Sequence, residues 1–194
     1  MQGQERVAKC DAIVGAVGTG KTTFLRESVV MPMVAAGHRA LIVTPDAKEW
    51  NNIEILTSYE DIATFTGIKR MIYRDGRLEK IREYYSNGVL VFDDARLYIN
   101  AQSDDFMRWL QIRRRHQGID LFSVFHSLAQ IPPIYFTFIS NIVLFHSLGN
   151  IKKRTNEIDD YILEEIAVAK AEILKEVQNG NKYAKKLISF DKRF

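Results

Sequence analysis

The order of apolar and polar residues along the chain predicts strands and helices in alternation. Short apolar runs bounded by turn-forming residues are typical of parallel strands that are buried on both faces. These runs, with one β-prone segment near the C-terminus, predict strands at 12–14, 40–43, 70–73, 89–92, 119–125, 142–145 and 183–190. The last of these carries several lysines, which favours a position at the edge of a sheet.

Helical periodicity occupies the segments between these runs. It predicts helices at 21–36, 58–65, 77–85, 103–116 and 155–178. Gly37 is suited to end the first helix, and Pro32 inside it is expected to kink or shorten it. Ser58 is the expected N-cap of the second helix, because its hydroxyl can accept a hydrogen bond from a free backbone N–H group.

The alternation predicts an α/β fold of three layers with a mostly parallel central sheet. Composition agrees, since 46% hydrophobic and 26% charged residues are ordinary for a soluble globular protein. We expect one domain over 1–194, with a core at about 8–147 and an added helix and strand at 151–194. The net charge of +3 permits a polyanionic partner without identifying one.

The apolar stretch 121–145 is long enough to raise the question of a membrane span. A spanning helix needs about 20 predominantly apolar residues. Pro132 and Pro133 interrupt this stretch, so we predict two buried strands joined by a linker and no membrane span. Cys10 is the single cysteine, which excludes an intramolecular disulfide. We expect it to be a small core residue in a reducing, intracellular setting.

The segment 15–22 matches the phosphate-binding pattern G-x-x-x-x-G-K-[ST] and lies between a predicted strand and a predicted helix. Its glycines allow the backbone N–H groups to converge, and the helix N-terminus adds partial positive charge at the same place. Lys21 can reach the β- and γ-phosphates, and the Thr22 hydroxyl can ligate Mg²⁺. The expected nucleotide-binding residues are Gly15, Ala16, Val17, Gly18, Thr19, Gly20, Lys21, Thr22 and Thr23. No motif identifies the base.

Two acids, Asp93 and Asp94, directly follow the apolar run 89–92. Four apolar residues and two acids form the Walker B pattern. Asp93 is expected to hold Mg²⁺, usually through water, and Asp94 to orient or deprotonate the attacking water. A strand that ends in a solvated acidic turn is the alternative, but the phosphate loop upstream favours the catalytic interpretation. The second acid is aspartate, one methylene shorter than the glutamate common in P-loop ATPases.

Polar residues also follow the predicted strand 119–125. If this strand lies directly beside the strand that precedes the phosphate loop, its end approaches the γ-phosphate. His126 is the first candidate for a side chain that senses the phosphate or the attacking water, and Ser127 is the second. The alternative is a loop histidine with a purely local role.

A basic cluster of Arg113, Arg114, Arg115 and His116 ends the predicted helix 103–116. Cations are favourable at a helix C-terminus, so a solvated basic face is one interpretation. A second is that one arginine, with Arg115 the candidate, enters a neighbouring subunit's site and stabilises the phosphoryl transition state. A third is contact with nucleic-acid phosphates. Arg96 is a further candidate for the arginine supplied to a neighbour.

The phosphate loop, the acids Asp93 and Asp94, and the run Arg-Arg-His-Gln-Gly-Ile-Asp at 114–120 together resemble the FtsK/HerA superfamily of DNA-pumping ATPases. The compact length is similar to that of the genome-packaging ATPases of membrane-containing and poxvirus-like viruses. The Arg-His-x-Gly part of the run also resembles the Zot-like assembly ATPases of filamentous phages. The resemblance covers roughly 8–147, and two departures stand within it. His126 occupies the place of a sensor glutamine, and Thr-Pro-Asp at 44–46 reverses an Asp-Pro element.

This resemblance implies a RecA-like P-loop core of the ASCE division that binds ATP and Mg²⁺. It implies a homo-oligomeric ring, a pentamer or a hexamer, with sites at the subunit interfaces. It further implies sequence-independent translocation of double-stranded DNA for packaging a viral genome, with a capsid or portal vertex as a further partner. The corresponding location is the host cytoplasm or the virion.

Three other functions stay open at this point. One is a nucleotide switch that does not hydrolyse its ligand, which the acidic pair Asp93 and Asp94 disfavours. A Zot-like phage assembly or export ATPase usually has a transmembrane segment after the ATPase domain, and we expect none before Phe194. A small-molecule P-loop kinase would suit the length, but it usually carries an arginine-rich lid late in the chain. Here the late region predicts a long amphipathic helix and a lysine-rich strand.

Overall fold

The computed structural model describes residues 8–46, 48–73, 78–97, 104–149 and 158–190. Its strands are β1 (Cys10–Val14), β2 (Arg39–Thr44), β3 (Ile68–Ile72), β4 (Gly88–Phe92), β5 (Ile119–Phe125), β6 (Asn141–Phe145) and β7 (Lys185–Ser189). Its α-helices are α1 (Lys21–Phe24), α2 (Met31–Ala35), α3 (Asp61–Thr64), α4 (Leu78–Tyr84), α5 (Asp104–Arg113), α6 (Pro133–Phe138) and α7 (Asp160–Gln178). The predicted helix starts at 77 and 103 lie outside these ranges.

The strands form one sheet in the order β3-β2-β4-β5-β1-β6-β7. All neighbouring pairs are parallel except β6 and β7, which are antiparallel at one edge. The predicted edge position of the last strand is therefore confirmed. β5 lies directly beside β1, which is the condition on which the prediction for His126 depended, and separates β1 from β4. The segments that follow β1, β2, β4 and β5 consequently meet along one edge of the sheet, the one formed by the carboxyl ends of its parallel strands.

Side chains alternate between the two faces of the sheet, and each face has its own apolar core. Residues of α3 to α7 cover one face, with Ile162, Ile166 and Ile173 of α7 as the largest contribution from a single helix. The first helix and Trp50 cover the other face, where Leu25 and Val30 are fully buried. The predicted three-layer α/β fold with a mostly parallel sheet is therefore confirmed.

The first helix runs without interruption from Lys21 to Ala35, through a π-helical segment at Leu25–Val30. The expectation that Pro32 could shorten the helix is therefore wrong. A proline ring in a regular α-helix clashes with the carbonyl four residues earlier. The wider π turn before it, in which the Met31 N–H group donates to the Arg26 carbonyl, takes up the distortion instead. Gly37 follows the end of the helix, as predicted.

Three predicted helix boundaries are wrong. α3 begins at Asp61, with Glu60 as its N-cap, because the Ser58 hydroxyl accepts the Glu60 N–H group in a local turn instead of capping a helix. α5 ends at Arg113, and the predicted continuation through His116 is a series of turns. α7 begins at Asp160, because the Asp159 backbone is extended with ψ 142°.

The predicted linker between β5 and β6 contains a helix that the sequence did not predict. Pro132 is extended and Pro133 is the first residue of α6, a position where a missing N–H group costs nothing. Tyr135 and Phe136 of this helix are buried in the larger core. Among the described residues, no helix combines the length and the hydropathy needed to cross a bilayer.

Cys10 is fully buried at the start of β1, so its predicted place in the core is confirmed. Burial is the main cause that raises the pKa of its thiol to about 12. A thiol that stays protonated is a weak nucleophile, which makes Cys10 a packing residue.

Candidate nucleotide-binding site

A cavity of about 660 Å³ opens at the sheet edge where β1, β2, β4 and β5 end. Its lining contains nine of the candidate residues together with acids from the segment after β2. The lining residues are Val17, Gly18, Gly20, Lys21, Thr22, Thr23, Pro45, Asp46, Glu49, Asp93, Asp94, Val124, His126 and Tyr183. Most of the sequence candidates for phosphate, metal and water therefore lie around one space. Gly15, Ala16 and Thr19 of the phosphate loop do not line it, and neither does Arg115.

The phosphate loop is anchored to the strands on both sides of β1. The Gly15 N–H group donates to the Phe125 carbonyl at 3.1 Å, and the Ala16 N–H group donates to the His146 carbonyl at 2.8 Å. A Cβ atom at Gly15 would lie 2.6 Å from Cβ of Phe145, so only glycine fits there. Gly20 has φ +91°, a left-handed conformation that turns the loop into the helix. The loop thus has the close approach and the reversal that a phosphate cradle requires.

Lys21 lies inside this loop, with only 7% of its surface exposed. Its ammonium donates to the Ala16 carbonyl at 2.8 Å, and the Thr19 hydroxyl donates to the same oxygen at 2.8 Å. Burial lowers the pKa of Lys21, and the carboxylates of Asp93, Asp94 and Glu49 oppose that shift. The site therefore concentrates positive charge at the loop and negative charge opposite it, as the phosphates and the metal of a nucleotide complex require.

Asp93 ends β4 and is only 4% exposed. Its N–H group extends the ladder by donating to the Val43 carbonyl at 2.9 Å. Its carboxylate oxygen Oδ2 accepts a hydrogen bond from the Trp50 indole Nε1 at 2.8 Å. A hydrogen bond to a charged group contributes about 1.5–3 kcal/mol. Trp50 therefore fixes the orientation of the acid predicted to hold the metal.

Trp50 is a site residue that sequence reasoning missed. It is 2% exposed and has a left-handed backbone with φ +55°, which is uncommon for a bulky residue. The Arg26 guanidinium lies 5.0 Å from the centre of its ring. Trp50 thus connects the helix after the phosphate loop with the acid at the end of β4. A tryptophan six residues beyond a strand gives no sequence signal for such a contact.

Asp94 and His126 lie side by side in the cavity. Nε2 of His126 is 3.6 Å from Oδ1 of Asp94, and the two side chains are 39% and 33% exposed. The backbone N–H group of His126 donates to Oε1 of Gln130 at 2.9 Å, which fixes the start of the loop after β5. The residues predicted to position water and to sense the phosphate therefore share one part of the site.

Glu49 is a further acid of the cavity that the sequence did not predict. A side-chain hydrogen bond with Asp93, burial, and repulsion by Asp93 and Asp46 raise its pKa to about 7. The Glu49 carbonyl accepts a hydrogen bond from the Arg70 guanidinium at 2.9 Å, which anchors this segment to β3. The Thr-Pro-Asp element at 44–46 indicated a polar strand end, but not the acid beyond it.

Glu49 gives the metal-free protein a predictable pH dependence. The group titrates near 4.5 in the unfolded chain and near 7 in the folded one, so the folded state holds a proton that the unfolded chain releases. Stability from this group is complete below pH 4.5 and is lost as the pH rises through about 7. We expect the free energy of unfolding of Glu49→Gln to exceed that of wild type by about 1 kcal/mol at pH 8, allowing for solvent screening. At pH 5 the two free energies of unfolding should be nearly equal. Urea unfolding with a chelator measures both.

Glu164→Gln is the matched control, because Glu164 is an exposed glutamate of α7 far from the cavity. Its pH profile is expected to follow that of wild type. A Glu49→Gln profile parallel to that of wild type would contradict the repulsion between Glu49 and Asp93.

The basic cluster divides into structural and exposed members. Arg114 is only 1% exposed and donates to the carbonyls of Ala8 and Phe138, so a solvated role for this arginine is wrong. Arg115 is exposed in the turns before β5, at the edge of the sheet opposite to the cavity. Its own chain does not bring it into the site, and its role in a neighbour's site stays a prediction. Arg96, also exposed, lies on the cavity edge, just after Asp94.

The sheet order and this edge define the class of the fold. A phosphate loop after β1, an acid after β4 and a strand between them form a RecA-like P-loop ATPase fold. Solved structures confirm the resemblance to packaging ATPases at the level of the fold. The genome-packaging NTPase B204 of Sulfolobus turreted icosahedral virus 2, in complex with AMPPCP, is similar over 96% of this chain and 94% of its own, with TM-score 0.71 and 17% identity.

Two further solved structures are similar to the chain. The DNA-packaging ATPase B204 of Sulfolobus turreted icosahedral virus has TM-score 0.66 and 15% identity over 97% of this chain and 96% of its own. The pCW3 conjugation coupling protein TcpA with ATPγS has TM-score 0.51 and 13% identity over 78% of this chain and 52% of its own. No family model matches the sequence, and no curated protein matches it either.

Proposed function

We propose that this chain is an Mg²⁺-dependent, ATP-hydrolysing motor that moves double-stranded DNA in the packaging of a viral genome. One observation carries the proposal. The phosphate loop, Asp93, Asp94 and His126 surround one cavity in a fold that B204, a DNA-packaging ATPase, shares over nearly its whole length. We further propose that 1–194 act as one ATPase domain in the host cytoplasm or the virion.

The donor set of the cavity fits a magnesium nucleotide. Mg²⁺ is usually held by one or two protein oxygens together with substrate phosphates. The Thr22 hydroxyl and the Asp93 carboxylate would supply those oxygens, and the ion would neutralise charge on the phosphates. Lys21 and the loop amides would bind the β- and γ-phosphates. Trp50 would keep the Asp93 carboxylate in place during this binding.

Asp94 and His126 would act on the attacking water. The Asp94 carboxylate would orient the water and accept its proton as the water oxygen bonds to the γ-phosphorus. The bond from that phosphorus to the β,γ-bridging oxygen would break in the same step, with ADP as the leaving group. His126, beside it, would hydrogen-bond to the γ-phosphate or to the water and so detect whether the phosphate is present. Both groups are partly exposed, which leaves their polar atoms available to a ligand.

A ring of subunits, a pentamer or a hexamer, would complete the site with an arginine from a neighbour. Arg115 lies away from the cavity of its own chain, so a catalytic role for it requires the site of another copy. Arg96 is the second candidate, because it is exposed at the cavity edge. An arginine that stabilises the transferred phosphoryl group makes hydrolysis dependent on assembly.

Double-stranded DNA is expected to stimulate ATP hydrolysis by the wild-type protein. Contacts with DNA phosphates release counterions, so the stimulation should fall steeply between about 50 mM and about 200 mM salt. Phosphate release measured with and without linear duplex DNA, at both salt concentrations, tests this expectation. Two duplexes of unrelated sequence serve as the internal control and should stimulate equally.

A flat response to DNA at both salt concentrations would contradict the translocase proposal. If the protein then transfers phosphate to a small metabolite, the P-loop kinase becomes the better description. Hydrolysis stimulated by one duplex sequence only would contradict sequence-independent translocation.

A further inference from the structure

Tyr183 lies at the nucleotide cavity although its position in the sequence is far from every motif. It stands just before β7, which runs antiparallel to β6, so it reaches the same edge as the phosphate loop. Its ring lies close enough to Gly20 that a Cβ atom there would be 3.0 Å from Cδ1 of Tyr183. The C-terminal helix and strand therefore contribute to the site.

A second cavity of about 350 Å³ adjoins the first on this side. Its lining includes Gly20, Thr23 and Tyr183, which also line the first cavity, together with Phe24 and Lys185. Tyr183 thus lines both cavities and lies where they adjoin. The volume falls within the range of small-molecule subsites, about 300–1,000 Å³.

The positions of Asp93 and His126 determine which end of a bound nucleotide lies near Tyr183. Asp93 and His126 follow β4 and β5, on one side of the phosphate loop, and mark the place of the terminal phosphate. Tyr183 lies on the other side, towards β6 and β7. A triphosphate bound along the loop therefore directs its nucleoside past Thr23 and towards the Tyr183 ring.

The Tyr183 ring is exposed, and its backbone belongs to a hydrogen-bonded turn. It is 53% exposed, a high value for so large an aromatic side chain. Its N–H group of the backbone donates to Oδ1 of Asn181 at 3.2 Å, and Nδ2 of Asn181 donates to Oε2 of Glu176 at 2.8 Å. Ala184, the next residue, is buried. A ligand that stacks on the ring therefore meets a backbone that is already ordered, which lowers the conformational cost of binding.

We propose that Tyr183 forms the base subsite and stacks on the nucleobase of the bound nucleotide. This inference rests on the proposed nucleotide site and assigns its base-binding end. Stacking on an aromatic ring tolerates every base, because each base has a π-face. The assignment accounts for a site in which no base-reading motif is visible in the sequence.

Binding of two ligands separates the base subsite from the phosphate site. AMPPCP contains a base, whereas inorganic tripolyphosphate offers phosphates alone. We expect Tyr183→Ala to weaken AMPPCP binding about tenfold, the lower range for loss of one base stack, and to leave tripolyphosphate binding unchanged. Tyr183→Phe keeps the ring and should bind both ligands like wild type. Calorimetric titration with Mg²⁺ present measures both affinities.

Tyr84→Ala is the matched control. Tyr84 is 40% exposed and has the Lys80 ammonium 5.7 Å from its ring centre, much as Tyr183 has Lys182 at 4.9 Å, but it lies on α4 away from the cavity. Both ligands should bind this variant like wild type. AMPPCP binding by Tyr183→Ala that equals wild type would overturn the base subsite. An equal loss of both ligands would overturn it too, in favour of an effect on the phosphate loop through Gly20. A wild-type protein that binds neither ligand would instead refute the proposed nucleotide site itself.

Discussion

Replacing Lys21 with alanine is expected to lower ATP turnover by about 10²–10³-fold, the cost of removing one donor that stabilises developing charge. The ammonium lies in the centre of the phosphate loop and faces the carboxylates of Asp93, Asp94 and Glu49. Its removal leaves the phosphates without their nearest cation and the acids without their counter-charge. Steady-state phosphate release at saturating ATP measures the effect.

Lys48→Ala is the control for this variant, because Lys48 is an exposed lysine of the segment after β2 that does not line the cavity. Its turnover should equal that of wild type. Full turnover by Lys21→Ala would refute the assignment of the phosphate loop, and no other residue of the cavity could take its place, since Lys21 is the cavity's only lysine among the residues that the structure describes.

Asp94→Asn is expected to retain nucleotide binding and to lose turnover by about 10²–10⁴-fold, the usual contribution of a positioned general base. The replacement suits the backbone as well as the chemistry. Asp94 has φ +53°, and asparagine is among the few residues that adopt this left-handed conformation readily. The variant therefore removes the negative charge and the proton acceptor without disturbing the turn after β4.

Nucleotide affinity and single-turnover hydrolysis, measured on the same Asp94→Asn sample, separate binding from chemistry. Asp105→Asn makes the same substitution on α5, at an exposed residue that does not line the cavity, and should leave both values unchanged. If Asp94→Asn hydrolyses ATP at the wild-type rate, the proton is accepted elsewhere. Glu49 would then be the next acid to replace.

Much of the fold could be predicted because its signals are local. A buried parallel strand is a continuous apolar run, and β1, β2, β4, β5 and β6 have that pattern over most of their length. β3, with Lys69 and Arg70 at its centre, has it only at its end. The amphipathic stripe of α7 is equally plain, with Ile162, Ile166 and Ile173 on one face. These patterns depend on a few neighbouring residues, so they are visible before any tertiary contact is known.

The elements that the sequence did not predict depend on tertiary packing. α6 is almost entirely apolar, so its sequence lacks the alternation of apolar and polar positions that would distinguish a helix from a buried linker. It also begins at a Pro-Pro pair. The π turn before Pro32 is a response to a steric clash inside a helix. Ser58 has the side chain of a helix cap, but its hydroxyl accepts the Glu60 N–H group in a turn that precedes the helix.

The residues of the candidate site fall into the same two groups, those with a local sequence signal and those that depend on tertiary contacts. Lys21, Asp93 and Asp94 belong to motifs whose spacing is set by a single loop or strand end, and the structure brings them together. Trp50, Glu49 and Tyr183 act through contacts between elements that are distant in sequence. Trp50 and Asp93 are 43 positions apart, and nothing in either neighbourhood announces the bond between them.

That bond also gives the molecule an optical property. The chain has two tryptophans, and indole fluorescence responds to the electric field and the hydrogen bonding at the ring nitrogen. Trp50 has that nitrogen on the carboxylate of Asp93, whereas Trp109 lies on α5, at the other face of the sheet, beneath the Arg82 guanidinium at 4.9 Å. Of the two chromophores, only Trp50 is hydrogen-bonded to an acid of the cavity. We therefore expect a charge that binds at Asp93 to change the emission of Trp50 and to leave that of Trp109 largely unchanged.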